Sequence, residues 1–137
     1  MDEKDRNRIK NMNTSILAYI GDAVYELGIR KKLVERKAVN VNRIHKKAIT
    51  YVSADGQAVA AKKLMQLHGF LTEDEMKIIK RARNHRTTSH PRGADPKAYK
   101  WATGFEALFG YLYLLHEYDR LEEILTKAVI IIEEGEK

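Results

Sequence analysis

Apolar residues recur at intervals of three and four along most of this chain, the spacing of helices that bury one face. Ile16, Ile20, Ala23 and Leu27 fall on one side of a helix that Thr14 or Ser15 can cap, and Leu17, Val24 and Leu33 fall on others. That helix is expected to be buried on more than one face. Asn42 can start a second helix through Ile44, Ala48, Ile49 and Val52, and Ser53 can cap a third ending near His68, with Gly69 just beyond it. Thr72-Glu73-Asp74-Glu75 has the form of a capping box ahead of Met76, Ile78 and Ile79, with its acids where the helix dipole favours them. This fourth helix should stop near Arg83. Asn84 to Ala94 is rich in turn formers without apolar periodicity and reads as a surface loop. Asp95-Pro96 then supplies a cap and a first-turn proline for a helix carrying Tyr99, Ala102, Glu106, Phe109 and Tyr113. Asp119 with Glu122 begins a last amphipathic helix through Leu121, Ile124, Leu125, Ala128 and Ile131. With no hairpin signal, repeat or linker, the pattern predicts an all-α single domain over residues 1–137.

Composition narrows the chemistry. The 137 residues suit one domain with a real core, and the net charge of +6 favours a polyanionic partner. The absence of cysteine excludes a disulfide scaffold, a thiol nucleophile and a thiolate metal site, so any metal must be held by oxygen or imidazole. The five histidines have no paired metal spacing and read as surface or phosphate contacts. Neither a glycine-rich phosphate loop nor Gly-x-Ser-x-Gly is present, which disfavours nucleotide hydrolysis and serine esterase chemistry. The longest apolar stretch, Phe105 to Leu115, is about half the ~20 residues a membrane-spanning helix needs. The charged amino terminus reads as a frayed, flexible start, residues 1–12, of a cytoplasmic chain.

Two residues stand against the apolar pattern. Asp22 and Glu106 are carboxylates set in the strongly apolar windows Leu17–Leu27 and Ala102–Leu112, neither of which offers a nearby Lys or Arg. An unpaired buried carboxylate is costly unless a cation or a set of donors keeps its charge favourable, so a shared metal site is indicated. Gly21, Ala23, Gly104 and Ala107 flank the two acids and would let their helices approach closely. Glu26, one turn below Asp22, is a third candidate, as a metal ligand, a hydrogen-bonding partner or an exposed residue. The stretch from Lys80 to Arg92 carries Lys80, Arg81, Arg83, Arg86 and Arg92 without an acid, and like charges so gathered suggest an anion between them. Arg43, Lys46 and Lys47 form a second, weaker patch. Acids for a metal and cations for a phosphate backbone together suggest a nuclease. Tyr19, Tyr25, Trp101 and Phe105 read as core or dimer contacts rather than platforms for stacked bases.

Leu17-Ala18-Tyr19-Ile20-Gly21-Asp22-Ala23-Val24 resembles the signature of the ribonuclease III family, and Phe105-Glu106-Ala107-Leu108-Phe109-Gly110 resembles its second motif. Order, spacing and helical pattern agree over nearly the whole chain. With no double-stranded-RNA-binding domain expected downstream, the chain looks like the bacterial Mini-ribonuclease III subfamily, whose basic loop the segment Lys80-Arg81-Ala82-Arg83-Asn84 also resembles. The resemblance implies a homodimeric, magnesium-dependent endonuclease of double-stranded RNA that matures 23S ribosomal RNA precursors and leaves 5′ phosphates and 3′ hydroxyls. Manganese would be a substitute metal. It also implies that Asp22 and Glu106 are the catalytic, metal-binding carboxylates. The chain departs from the full-length family pattern at Ser15, Ala18 and Thr103, where acids are otherwise found, and no acid occurs between Ala38 and Lys47. Those departures motivate the rival reading, a non-catalytic RNA-binding protein on the same fold. A helix-turn-helix DNA regulator would need a recognition helix that the pattern does not supply.

Overall fold

Seven helices and no strand form among the residues that the computed structural model describes, 1–36, 40–85, 93 and 95–136. In chain order they are α1 (Glu3–Lys10), α2 (Thr14–Glu35), α3 (Val41–Val52), α4 (Ala54–Gln66), α5 (Glu73–Asn84), α6 (Pro96–Leu114) and α7 (Tyr118–Gly135). The all-α expectation holds, and most starts follow from local side-chain caps that satisfy otherwise orphaned backbone N–H groups. Ser53 accepts from Gly56 N at 3.1 Å, and Asp95 accepts from Lys97 N at 3.1 Å with Pro96 in the first turn behind it. Thr72 and Glu75 close a reciprocal capping box at 2.8 and 3.1 Å. Two caps lie earlier than expected: Asn13 rather than Thr14 or Ser15 caps α2, and Asn40 rather than Asn42 caps α3. Asparagine at each position reaches the backbone N–H two or three residues on.

The amino terminus corrects the expectation of a frayed start. Residues 3–10 form α1, capped by Asp2, and Ile9 is buried. Arg81 on α5 donates to the carbonyl oxygens of Lys10 and Met12, both at 2.8 Å, and so ties down the chain leaving α1. One apolar residue in a charged segment gives no periodicity, and the anchoring partner lies far along the chain. The segment Lys80–Asn84 is likewise the last turn of α5 rather than a loop, and most of the expected loop that follows lies outside the described residues.

α6 is the central helix. It is apolar nearly all round from Ala102 to Leu112 and packs against α2, α4 and α5. Tyr25, Phe105 and Phe109 meet between α2 and α6 with ring centroids 4.8 to 5.1 Å apart. α7 covers α4 and the end of α6, and α3 bridges α2 to α7. Outside the apolar core, Glu75 is buried, and Arg120 of α7 meets both its oxygens, at 2.8 and 2.9 Å. Burial alone would raise the Glu75 pKa, but the Arg120 guanidinium and the Thr72 donors hold it below its ordinary value.

Candidate active site

The closest backbone approach between α2 and α6 decides where the acids meet. A Cβ added at Gly21 would collide with the Glu106 carbonyl, and one at Gly110 would collide with the Leu17 carbonyl. Only paired glycines let the two helices cross this tightly. Gly110 is a partner that the sequence reading missed, and Gly104, expected to help here, faces the Ile79 carbonyl of α5 instead. Asp22 follows Gly21 directly, and the crossing brings its carboxylate within hydrogen-bonding reach of Glu106.

Their environments differ. Asp22 is exposed, contrary to the expectation from its apolar window, because α2 turns a second apolar stripe outward beside it. Ile16, Tyr19 and Leu27 on that stripe are 56%, 84% and 70% exposed. Glu106 is partly buried, and its pKa rises to about 8, first through burial and then through the Asp22 carboxylate beside it, with Gln57 acting in opposition. Beneath the pair, Tyr25 is fully buried and donates to the Tyr51 carbonyl at 2.8 Å, which fixes the floor.

Gln57 on α4 completes the site and was not singled out from the sequence. Its side-chain nitrogen donates to the Val52 carbonyl at 2.9 Å and to Glu106 Oε2 at 3.4 Å. Its oxygen Oε1 is buried without a hydrogen-bond partner. The available signal was a polar residue on the stripe formed with Ala60, Ala61 and Leu64.

Other candidates are placed apart. Glu26 is paired with Arg30 at 2.8 Å, and among the described residues no three His, Cys, Asp or Glu side chains form a metal-ligating group. Thr103, where the family pattern has an acid, donates to the Tyr99 carbonyl of its own helix, and Ala18 is buried. Lys80 is exposed on α5, while Arg83 stacks on Trp101, 4.6 Å from the ring centroid. Lys62 of α4 lies 5.8 Å from the same ring, so one indole gathers two cations. Arg43, Lys46 and Lys47 are exposed on α3, and Arg86 and Arg92 lie outside the described residues.

The donor set fits a hard divalent cation: two adjoining carboxylates, one with a raised proton affinity, and an amide oxygen lacking a donor, all oxygen and no sulfur. Helical fold and acid pair together define the class as a ribonuclease III domain, and the model of that domain family matches residues 15–117. Mini-ribonuclease 3 of Thermoanaerobacter sp. is 45% identical over 92% of this chain and 87% of its own length. The Staphylococcus aureus Mini-ribonuclease 3 is 37% identical over 98% and 99% of the two chains. An X-ray structure of a Fusobacterium nucleatum protein superposes with a TM-score of 0.76 at 32% identity, covering 95% of this chain and 98% of that one. The chain therefore belongs to the ribonuclease III family, among its Mini-ribonuclease 3 members, and is an endoribonuclease of that type. No described helix is long and apolar enough to cross a membrane.

Proposed function

We propose that this chain is a magnesium-dependent, homodimeric endonuclease of double-stranded RNA that trims precursors of 23S ribosomal RNA. The observation that carries the reading is the Asp22–Glu106 pair at the α2–α6 crossing, two adjoining carboxyl groups that reach the surface through Asp22. Of the two readings left open by the sequence, the nuclease is the one that family membership supports. Asp22 and Glu106 would hold a divalent cation, which when bound would supply charge neutralisation at the scissile phosphate and a more acidic water. Gln57 and the packed glycines fix the carboxylates in place. Having only two acids leaves room for phosphate oxygens and waters around magnesium, which retains water readily.

Capture of the duplex falls to cations outside the site. Arg83 and Lys62 border Trp101 and Lys80 is exposed on α5, with Arg86 and Arg92 following in the chain and Arg43, Lys46 and Lys47 on α3 as a second patch. Such side chains read an A-form duplex through phosphates and 2′-hydroxyls rather than base edges. Arg81 is assigned to α1 instead, because its guanidinium already serves two carbonyls. The outward stripe Ile16, Tyr19 and Leu27 supports self-association, and a two-fold axis would set one site against each strand. The test is purified protein with duplex RNA or a matched duplex DNA, with and without magnesium. Cleavage of RNA alone, and only with magnesium, is expected; cutting in chelator or equal cutting of DNA would reject the reading.

A further inference from the structure

The orphaned amide oxygen of Gln57 is the one buried side-chain polar atom without a partner among the described residues. Its orientation is set by chemistry: the other end of the amide faces two acceptors, the Val52 carbonyl and Glu106 Oε2, so that end must be nitrogen. Rotating the amide would place oxygen against oxygen at both contacts. Gln57 is 3% exposed, and leaving a buried acceptor unmet forfeits the solvation it had in water with nothing in return. Such a group calls for an unseen water or ion. The nitrogen of this amide is bonded to Glu106, so the oxygen on the same carbon lies within one amide group of Glu106, on the α4 side of a site whose α2 and α6 sides supply only one carboxylate each.

We propose that Gln57 is a positioning residue of the metal site: its nitrogen fixes the Glu106 carboxylate, and its oxygen accepts a hydrogen bond from water bound to the divalent cation. The inference rests on the metal-dependent reading above. It gives the site a neutral oxygen in a family member whose Ser15, Ala18 and Thr103 stand where other acids are found. A neutral acceptor orients water without adding to the repulsion between Asp22 and Glu106, and such outer partners typically govern 10–100-fold in metal affinity. Val52 anchors the amide nitrogen at the α3–α4 junction, where Ser53 ends one helix and caps the next, so the amide is oriented by backbone rather than by a mobile side chain.

The test is Mn2+ binding to the full chain without RNA, read from the loss of the free-ion electron paramagnetic resonance signal. Wild-type protein should bind, and Asp22→Asn should not. Gln57→Met removes both polar ends at similar volume; it should melt within a few degrees of wild type in chelator and bind Mn2+ at least tenfold more weakly. Gln57→Asn keeps both polar ends but draws them back by one methylene, away from Glu106 and the metal-bound water; it should lose Mn2+ affinity as Gln57→Met does, and a loss of affinity without a loss of fold is an effect that a purely structural glutamine would not produce. A folded Gln57→Met with wild-type affinity overturns the inference. If that variant does not fold, wild-type affinity in a folded Gln57→Asn overturns it equally. Wild-type protein that takes up no Mn2+ at millimolar concentration would instead overturn the metal-dependent reading on which the inference stands.

Discussion

At the scale of single residues, Asp22 and Glu106 have unequal surroundings and therefore separable roles. Asp22→Asn and Glu106→Gln each remove charge with almost no change in volume. Each should lower turnover of duplex RNA by several orders of magnitude while the far-ultraviolet circular dichroism stays unchanged. Wild-type turnover in either variant would remove that residue from the mechanism. Glu26→Gln should cost far less, since Glu26 answers Arg30 rather than the acid pair. Glu106 also makes metal-free stability depend on pH. The folded chain holds its proton up to about pH 8, whereas the ordinary value is 4.5, so the folded state binds more protons in that window. The contribution is full below the lower value and is lost as pH rises through the upper one. Urea unfolding in chelator between pH 5 and pH 9 should show this decline in wild type and a weaker one in Glu106→Gln. Equal slopes would mean that Glu106 titrates normally.

At the scale of elements, the site depends on how closely α2 and α6 cross. Gly21→Ala would force the Glu106 carbonyl away, and overpacking of this kind typically costs about 1–3 kcal/mol. Cleavage should fall further than stability does, because Asp22 and Glu106 separate with the helices. Chemical denaturation and turnover of the same sample test this; full activity in a destabilised variant would show that the acid spacing tolerates the shift. The starts of α4, α5 and α6 were legible as local caps, since Ser53, Thr72, Glu75 and Asp95 act on N–H groups two or three residues away. α1 was not, because what holds it is the Arg81 guanidinium from α5.

At the scale of the molecule, that contact sets Arg81 apart from its neighbours in the basic run. Lys80→Ser with Arg83→Ser should weaken duplex binding and reduce its salt slope by about 1 per phosphate contact removed. Arg81→Ser should leave the slope nearly unchanged and lower the melting temperature, because two carbonyls after α1 lose their donor. Binding isotherms over a salt series and a melting curve separate the two; the opposite assignment of effects would return Arg81 to the RNA surface. Self-association is tested on the exposed stripe. Tyr19→Asp with Leu27→Asp should halve the mass seen by light scattering and abolish paired cutting of both strands, whereas an unchanged mass would move the interface elsewhere.

The sequence by itself determined the helical architecture, the caps of α4, α5 and α6 and the two acids, because these depend on spacing and residue type within a few positions. Tyr19 and Leu27 could not be placed by pattern, since a helix apolar on several faces does not reveal which face its own chain covers. Gln57 and Gly110 meet the acid pair and its crossing only because α4 and α2 are laid against α6. The tertiary structure alone decided which groups share the site, because contact between helices is set by how closely their backbones approach, and that depends on residues far apart in the chain.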